Sequence, residues 1–454
     1  MKISNPADGT PIREIAEDDA DAVAAKCAAA RRAQPGWASV PLGDRLGVIG
    51  KFKQQIEKRK SELAQILTRE TGKPIAQSRN ELNALAGRID FFLQHTKNAL
   101  AAETVLADQK LQEQITHEPL GVVANISAWN YPYFVGSNVF VPALLAGNAV
   151  LYKPSEFAAL TGLAIGEMLH AAGVPADVFA VIVGAGATGA ALVEQPVDGI
   201  FFTGSYATGA RIAAACAPRM LKLQLELGGK DPTYVCEDAE PKIAAESLAD
   251  GAMYNAGQSC CSVERIYVHE RIHDRFVAAF VATVQGFKCG DPLDEKTYLG
   301  PLARAPQIAV LEAQVADALA KGAQLLAGGK RIARPGNWFE ATVFSNVDHS
   351  MELMREESFG PLIGIQKVAG DEEALRLMND TAYGLTAGVY TPDEARARRI
   401  LAQVRSGSVY WNCCDRVSPR LPWSGVGHSG VGVTLSTYGI QAFTRPKAWH
   451  LRNP

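Results

Sequence analysis

The chain has 454 residues, 47% hydrophobic and 20% charged, with a formal net charge of −3, enough apolar material for two or three domains with large cores. That balance excludes a polyelectrolyte: no basic stripe interleaved with aromatics invites nucleic acid, and no window reaches the roughly 18 uninterrupted apolar residues of a membrane span. The opening Met1-Lys2-Ile3-Ser4-Asn5-Pro6 lacks a signal-peptide apolar core, and eight cysteines without a CxxC pair are too sparse for a disulfide framework or a zinc site. A soluble cytoplasmic protein is expected.

In chain order, residues 18–33 and 42–70 carry apolar side chains at three- and four-residue spacing, so the first hundred residues read as helical, with Thr71-Gly72-Lys73-Pro74 as a stop. Residues 104–118 turn polar and alternating, which predicts an extended hairpin of the kind that forms oligomer contacts. Strand-like runs follow at 121–126, 149–153, 178–183 and 199–203, each leading into a helix-compatible stretch. A second α/β block begins near Glu226 and includes runs at 265–268, 324–327, 342–344 and 387–390. Alternating helices and strands predict an α/β fold of two Rossmann-like lobes with parallel sheets, plus a small β oligomerisation arm. The expected boundaries are 1–103 and 120–226 for a nucleotide-binding domain, 227–439 for a catalytic domain, and 104–119 with 440–454 for the arm.

Two spellings mislead. His269-Glu270-Arg271-Ile272-His273 reads HExxH, but zinc chemistry needs both histidines on one helix face, and here the first follows a strand-like run. A solvated strand-to-helix turn is expected, and no metal. Gly184-Ala185-Gly186-Ala187-Thr188-Gly189 is a literal GxGxxG after a strand, yet no acidic residue stands at a strand end about twenty residues on. Phe202-Thr203-Gly204-Ser205 stands there instead. Ser205 can cap the next helix and leave free amides for a phosphate, so Gly204 and Ser205 rank above the glycine triplet as the phosphate contact.

The chemistry concentrates in Gly257-Gln258-Ser259-Cys260 and, some thirty residues upstream, Leu225-Glu226-Leu227-Gly228-Gly229-Lys230. A thiol and a carboxylate are the nucleophile and the water-activating base of covalent catalysis on a carbonyl. With Ser127-Ala128-Trp129-Asn130-Tyr131-Pro132, Lys153-Pro154-Ser155-Glu156, Phe202-Thr203-Gly204-Ser205 and Glu356-Glu357-Ser358-Phe359-Gly360-Pro361, the chain resembles the NAD(P)-dependent aldehyde dehydrogenase superfamily nearly end to end.

The resemblance implies roles position by position. Cys260 matches the nucleophile, Asn130 the side chain that stabilises the thiohemiacetal oxyanion, and Glu226 the base that hydrolyses the thioester. Cys261, Cys413 and Cys414 read as packing thiols. Ile126, Trp129, Lys153, Ser155, Glu156, Gly186, Gly189, Gly204, Ser205, Leu227, Glu357 and Phe359 match cofactor-binding positions. Glu156 beside the adenosine ribose favours NAD, because a 2′-phosphate would meet like charge, although Lys153 leaves NADP possible.

Near the carboxyl end, Leu421-Pro422-Trp423-Ser424-Gly425 departs from the commoner Pro-Phe-Gly-Gly turn, so the substrate wall is expected to be particular to this chain. Tyr133, Phe134, Arg416, Arg420 and Trp423 are its candidates. Either arginine could clamp a distal anion, or be solvated or structurally paired. The implied substrate is an aldehyde, with a semialdehyde as the leading refinement. A CoA-acylating reductase, a non-catalytic structural protein and a zinc hydrolase are the alternatives. Each fits less well, since the first has no need of Glu226, the second none of the retained catalytic positions, and the third requires metal. The hairpin and the closing segment 442–449 resemble interface elements, implying a homodimer or homotetramer.

Overall fold

The computed structural model describes residues 1–452. A short antiparallel hairpin, β1 (Lys2–Ser4) and β2 (Pro11–Glu14), precedes three long helices, a pair of strands not expected from the helical reading of the first hundred residues. Helix Ala20–Ser39 runs past the expected stop at 33 and through Pro35. Helix Leu42–Thr71 buries Ile49, Phe52, Ile56, Leu63 and Leu67 along one stripe and ends at Gly72, whose φ of 80° supplies the left-handed cap. Helix Ile75–Ala99 follows directly and walls the site described below.

Strands β3 (Glu103–Ala107) and β4 (Leu111–Pro119) form the expected hairpin. The first large sheet holds β5 (Val122–Ile126), β6 (Ala149–Lys153), β7 (Phe179–Val181), β8 (Gly199–Thr203) and β9 (Lys222–Glu226). The second holds β10 (Asp231–Val235), β11 (Val263–His269), β12 (Gln324–Ala327), β13 (Thr342–Ser345), β14 (Leu362–Val368), β15 (Thr386–Tyr390) and β16 (Ser408–Trp411). Two strands come last, β17 (Gly430–Val431) and β18 (Thr444–Arg452).

The six-stranded sheet runs β17-β9-β8-β5-β6-β7 and the seven-stranded sheet β12-β13-β14-β11-β10-β15-β16, parallel except for the antiparallel edges β17 and β12. Central strands β5, β6 and β10 are buried at every residue, as a parallel sheet covered on both faces requires. A third sheet, β18-β4-β3, pairs the closing strand antiparallel with the hairpin, Thr444 against Pro119 through Arg452 against Leu111. Residues 453 and 454 of the expected arm lie outside the described residues. Segment 423–443 returns to the first sheet's side of the molecule: β17 pairs with β9, and Trp423, Leu435, Ile440 and Phe443 join the core beneath helices Leu42–Thr71 and Ile75–Ala99.

Candidate active site

The order of the six-stranded sheet reverses at β5, with β6 and β7 on one side and β8 and β9 on the other. Such a reversal opens a crevice beyond the carboxyl ends of the strands. Those ends are Ile126, Lys153, Thr203 and Glu226, so the motif segments that follow them (Trp129-Asn130, Ser155-Glu156, Gly204-Ser205 and Leu227) are brought together by topology alone.

At the crevice, Ser205 caps helix Tyr206–Cys216, accepting from the Thr208 N–H, and is itself exposed, which leaves the first-turn amides open. Lys153 is buried, yet its Nζ makes a single hydrogen bond among the described residues, to the Pro154 carbonyl at 3.2 Å. Burial pulls its pKa down while the charge of Glu156 pulls it up. The Ser155 hydroxyl donates to Glu156 at 3.1 Å. A side chain at Gly189 would begin 3.4 Å from Lys153 Cε, so the first turn of helix Gly186–Val193, with Gly186 exposed, stands beside the lysine. Leu227 is buried, and its N–H donates to the Ser429 carbonyl at 3.1 Å. Trp129 meets Phe359 edge to face at 5.5 Å. Glu357 accepts from the Gly229 N–H at 3.1 Å and is pushed up to about 8, first by burial of its carboxyl and then by the charge of Glu264. A buried ammonium with spare donors, nearby carboxylates, open helix amides and an aromatic wall fit the hydroxyls, diphosphate and flat ring of a dinucleotide.

The thiol sits on a constrained turn. Asn255 and Ala256 both take left-handed φ values of 53°, and Gly257 follows at 69°. A Cβ on Gly257 would stand 2.1 Å from the Gly360 carbonyl oxygen, so only glycine lets this turn dock against the Glu356–Pro361 segment. Gln258 clamps the turn, donating to the Asn255 carbonyl at 3.0 Å and accepting from the Ala303 N–H at 2.9 Å. The Asn255 amide donates to the Asn130 carbonyl at 3.2 Å, which ties the loop of Asn130 to that of Cys260. Gly228 has a matching reason: a Cβ there would lie 2.3 Å from the Glu357 carboxylate.

Half-buried Cys260 and buried Glu226 open into one cavity of about 540 Å³, whose wall includes Arg88, Tyr131, Phe134 and Trp423. Oε1 of Glu226 accepts from the Thr434 hydroxyl and from the Gln224 amide at 2.9 Å. Burial raises its pKa above the ordinary carboxylate range, opposed by those two donors and by the charge of Arg88. Cys261 is buried and donates to Asp415 at 3.0 Å. Its pKa is pushed well up, first by its contact with the Cys260 thiol and then by burial.

Among the expected wall residues, Phe134, Arg416, Arg420 and Trp423 line this cavity, the two arginines at its exposed rim. Tyr133 does not. It is buried in the core with its hydroxyl donating to the Leu63 carbonyl at 3.2 Å, because its ring points under the helix rather than into the cavity. Sequence reasoning passed over Glu81, Arg88, Asn138 and Thr434. The first two had a signal: Gln77, Glu81 and Arg88 follow helical spacing along Ile75–Ala99 and put polar side chains on an inward face. The HExxH histidines share no helix face: His269 ends β11, and His273 opens helix His273–Gln285.

A doubly layered α/β protein in which a thiol and a carboxylate open into one cavity fits the oxidoreductases that act on carbonyls. The aldehyde dehydrogenase family profile matches residues 1–449, and the chain is a member of that family. It is 35% identical over 445 residues to a betaine aldehyde dehydrogenase of Cereibacter sphaeroides, covering 98% of this chain and 92% of that protein. Among solved structures it is similar to an NAD-dependent aldehyde dehydrogenase from Sinorhizobium meliloti (TM-score 0.97, 33% identity, 100% and 91% of the two chains). It also resembles a succinate-semialdehyde dehydrogenase from Burkholderia pseudomallei (TM-score 0.96, 34% identity, 99% and 94%). The protein is therefore an NAD(P)-dependent enzyme that oxidises an aldehyde to the carboxylic acid.

Proposed function

We propose that Cys260, Asn130 and Glu226 carry this oxidation, and that the substrate is a semialdehyde taken with NAD. The observation that supports the assignment most directly is the convergence of the Asn130, Cys260 and Glu226 segments, with thiol and carboxylate opening into one cavity. The Cys260 thiolate attacks the aldehyde carbon, and the resulting oxyanion is stabilised by the Asn130 amide and the Cys260 N–H, each donor worth about 3 kcal/mol in such sites. Bound nicotinamide nucleotide supplies the hydride acceptor. Glu226 then takes a proton from water as its oxygen adds to the Cys260 thioester; the C–S bond breaks, releasing the acid and the thiolate.

Ile126, Trp129, Lys153, Ser155, Glu156, Gly186, Gly189, Gly204, Ser205, Leu227, Glu357 and Phe359 hold the nucleotide in this reading. Glu156 accepts from a free 2′-hydroxyl and repels a 2′-phosphate. The test is absorbance of the reduced nucleotide over a panel of aldehydes and ω-semialdehydes, with NAD or NADP and with or without CoA. CoA-independent reduction is expected, with kcat/KM at least about tenfold higher for NAD, an approach difference of ~1.4 kcal/mol. Strict dependence on CoA, or no reduction of either nucleotide, would overturn the assignment.

The same reading divides the chain into a nucleotide-binding domain (1–103 and 120–226), a catalytic domain (227–439) and the arm, in a cytoplasmic protein. Eight free thiols suit a reducing compartment. No helix among the described residues is long and apolar enough to cross a membrane. For assembly, β3 is exposed along its whole length and β18 carries exposed Trp449 and Leu451 with one edge unpaired in the sheet order. A strand edge of that kind extends a neighbour's sheet. We expect a homodimer or homotetramer, and deletion of residues 444–454 should shift it to monomer or aggregate by light scattering coupled to size exclusion. An unchanged mass would remove the arm from the interface.

A further inference from the structure

Among the described residues, Arg88 is the one cationic side chain buried in the wall of the Cys260 cavity, 4% exposed, and it makes a single hydrogen bond, from Nη1 to Asn138 Oδ1 at 2.6 Å. A guanidinium has five N–H donors, and buried donors are almost always paired, so the rest of this fork faces the cavity in search of an acceptor. Its guanidinium lies over the Phe134 ring at 4.2 Å, Phe134 stacks on Tyr131, and Lys73 Nζ lies over the Tyr131 ring at 3.8 Å. Burial lowers its pKa only to about 10, so it is charged at neutral pH.

The carboxylates around the cavity already have partners. Glu81 takes the Lys73 ammonium and the Tyr133 N–H. Asp415 takes the Cys261 thiol, Asp250 takes the Tyr298 hydroxyl at 2.5 Å, and one oxygen of Glu226 takes Thr434 and Gln224. None of them forms an ion pair with Arg88. The rim arginines Arg416 and Arg420 are exposed, where attraction for an anion is weakened by solvent and salt. We infer that Arg88, oriented by Asn138 and Phe134, binds the far carboxylate of the substrate, which makes the substrate an aldehyde with an anionic end. This rests on the assignment of Cys260 as the nucleophile, since the cavity is the aldehyde site only if that assignment holds.

The test compares kcat/KM for ω-semialdehydes with that for neutral aldehydes of the same chain length and for an ω-aminoaldehyde, in the wild type, Arg88→Met and Arg88→Lys. The wild type should prefer the carboxylated substrate. The ratio of carboxylated to neutral should fall about 10- to 100-fold in Arg88→Met, the range for one charge-assisted contact, mainly through KM, and by less in Arg88→Lys, which keeps the charge without the fork. Succinate or glutarate should compete with the aldehyde in the wild type, a readout that needs no variant to fold. An unmoved ratio, a preference for the aminoaldehyde, or no competition by dicarboxylates would overturn the inference while leaving the dehydrogenase intact. So would an equal loss of kcat on every aldehyde with a displaced pH profile, because Arg88 would then serve the charge of Glu226. Failure of the underlying assignment looks different: no nucleotide reduction on any aldehyde, or full activity in Cys260→Ala.

Discussion

Cys260→Ala should lower nucleotide reduction by roughly ten-thousand-fold or more, because in the proposed mechanism the variant has no atom to form the covalent intermediate on which both later steps depend. The neighbouring thiol does not rescue it. Cys261 hydrogen-bonds Asp415 at 3.0 Å, and its pKa is pushed well up, so it remains a neutral, poorly nucleophilic thiol at neutral pH. NAD should still bind, since the crevice at the ends of β5, β6 and β8 contains none of the altered atoms. Titration with NAD, followed by the fluorescence of Trp129 beside Phe359, separates lost chemistry from lost folding. Appreciable turnover in Cys260→Ala that disappears in Cys261→Ala would transfer the role to the second cysteine.

How much of this was legible depends on what each residue needs from its surroundings. Strands 149–153 and 199–203 could be read to the residue because a parallel strand buried on both faces must be an apolar run with a glycine, lysine or threonine where it leaves the sheet. Gly228 and Gly257 were legible as motif letters, but their reason was not. Each is a glycine because a distant segment, Glu357 in one case and Gly360 in the other, packs against its backbone. Strands β9, β10, β14 and β16 escaped notice for different reasons: β9 and β16 are partly exposed and mix polar with apolar side chains, β10 opens on Asp231-Pro232, which reads as a turn, and β14 carries Gly364 and then Gln366-Lys367.

The cavity wall was the least legible part. Tyr133 and Phe134 are neighbours on one helix, about 100° apart around its axis, so one faces the core and the other the cavity; composition near a cleft does not tell which. Thr434 lies 208 positions from Glu226 and is joined to it only by the return of the chain through β17. Arg88 could have been suspected. A charged residue in phase with buried Leu85 and Ile89, on a helix that also buries Glu81, is costly unless it is used or paired.

Glu226→Gln should separate the two halves of the reaction. The amide keeps the shape and the contacts with Thr434 and Gln224 but takes no proton from water, so the first turnover proceeds and the second stalls. Mixing the variant with NAD and aldehyde should give a burst of NADH of about one per active site, then a steady rate about 100- to 10,000-fold below wild type, as loss of a general base costs. The stalled protein should carry the acyl group on Cys260, seen as added mass that hydroxylamine removes. pH gives an independent check with a fixed sign. Burial raises the pKa of Glu226, so its basic form is lost at a higher pH than for an exposed glutamate. Wild-type kcat should therefore fall on acidification already above the usual carboxylate range, and the slow rate of Glu226→Gln should lack that limb. Steady turnover at the wild-type rate without a burst would assign water activation to another group and leave Glu226 as an anchor for the Thr434 return strand.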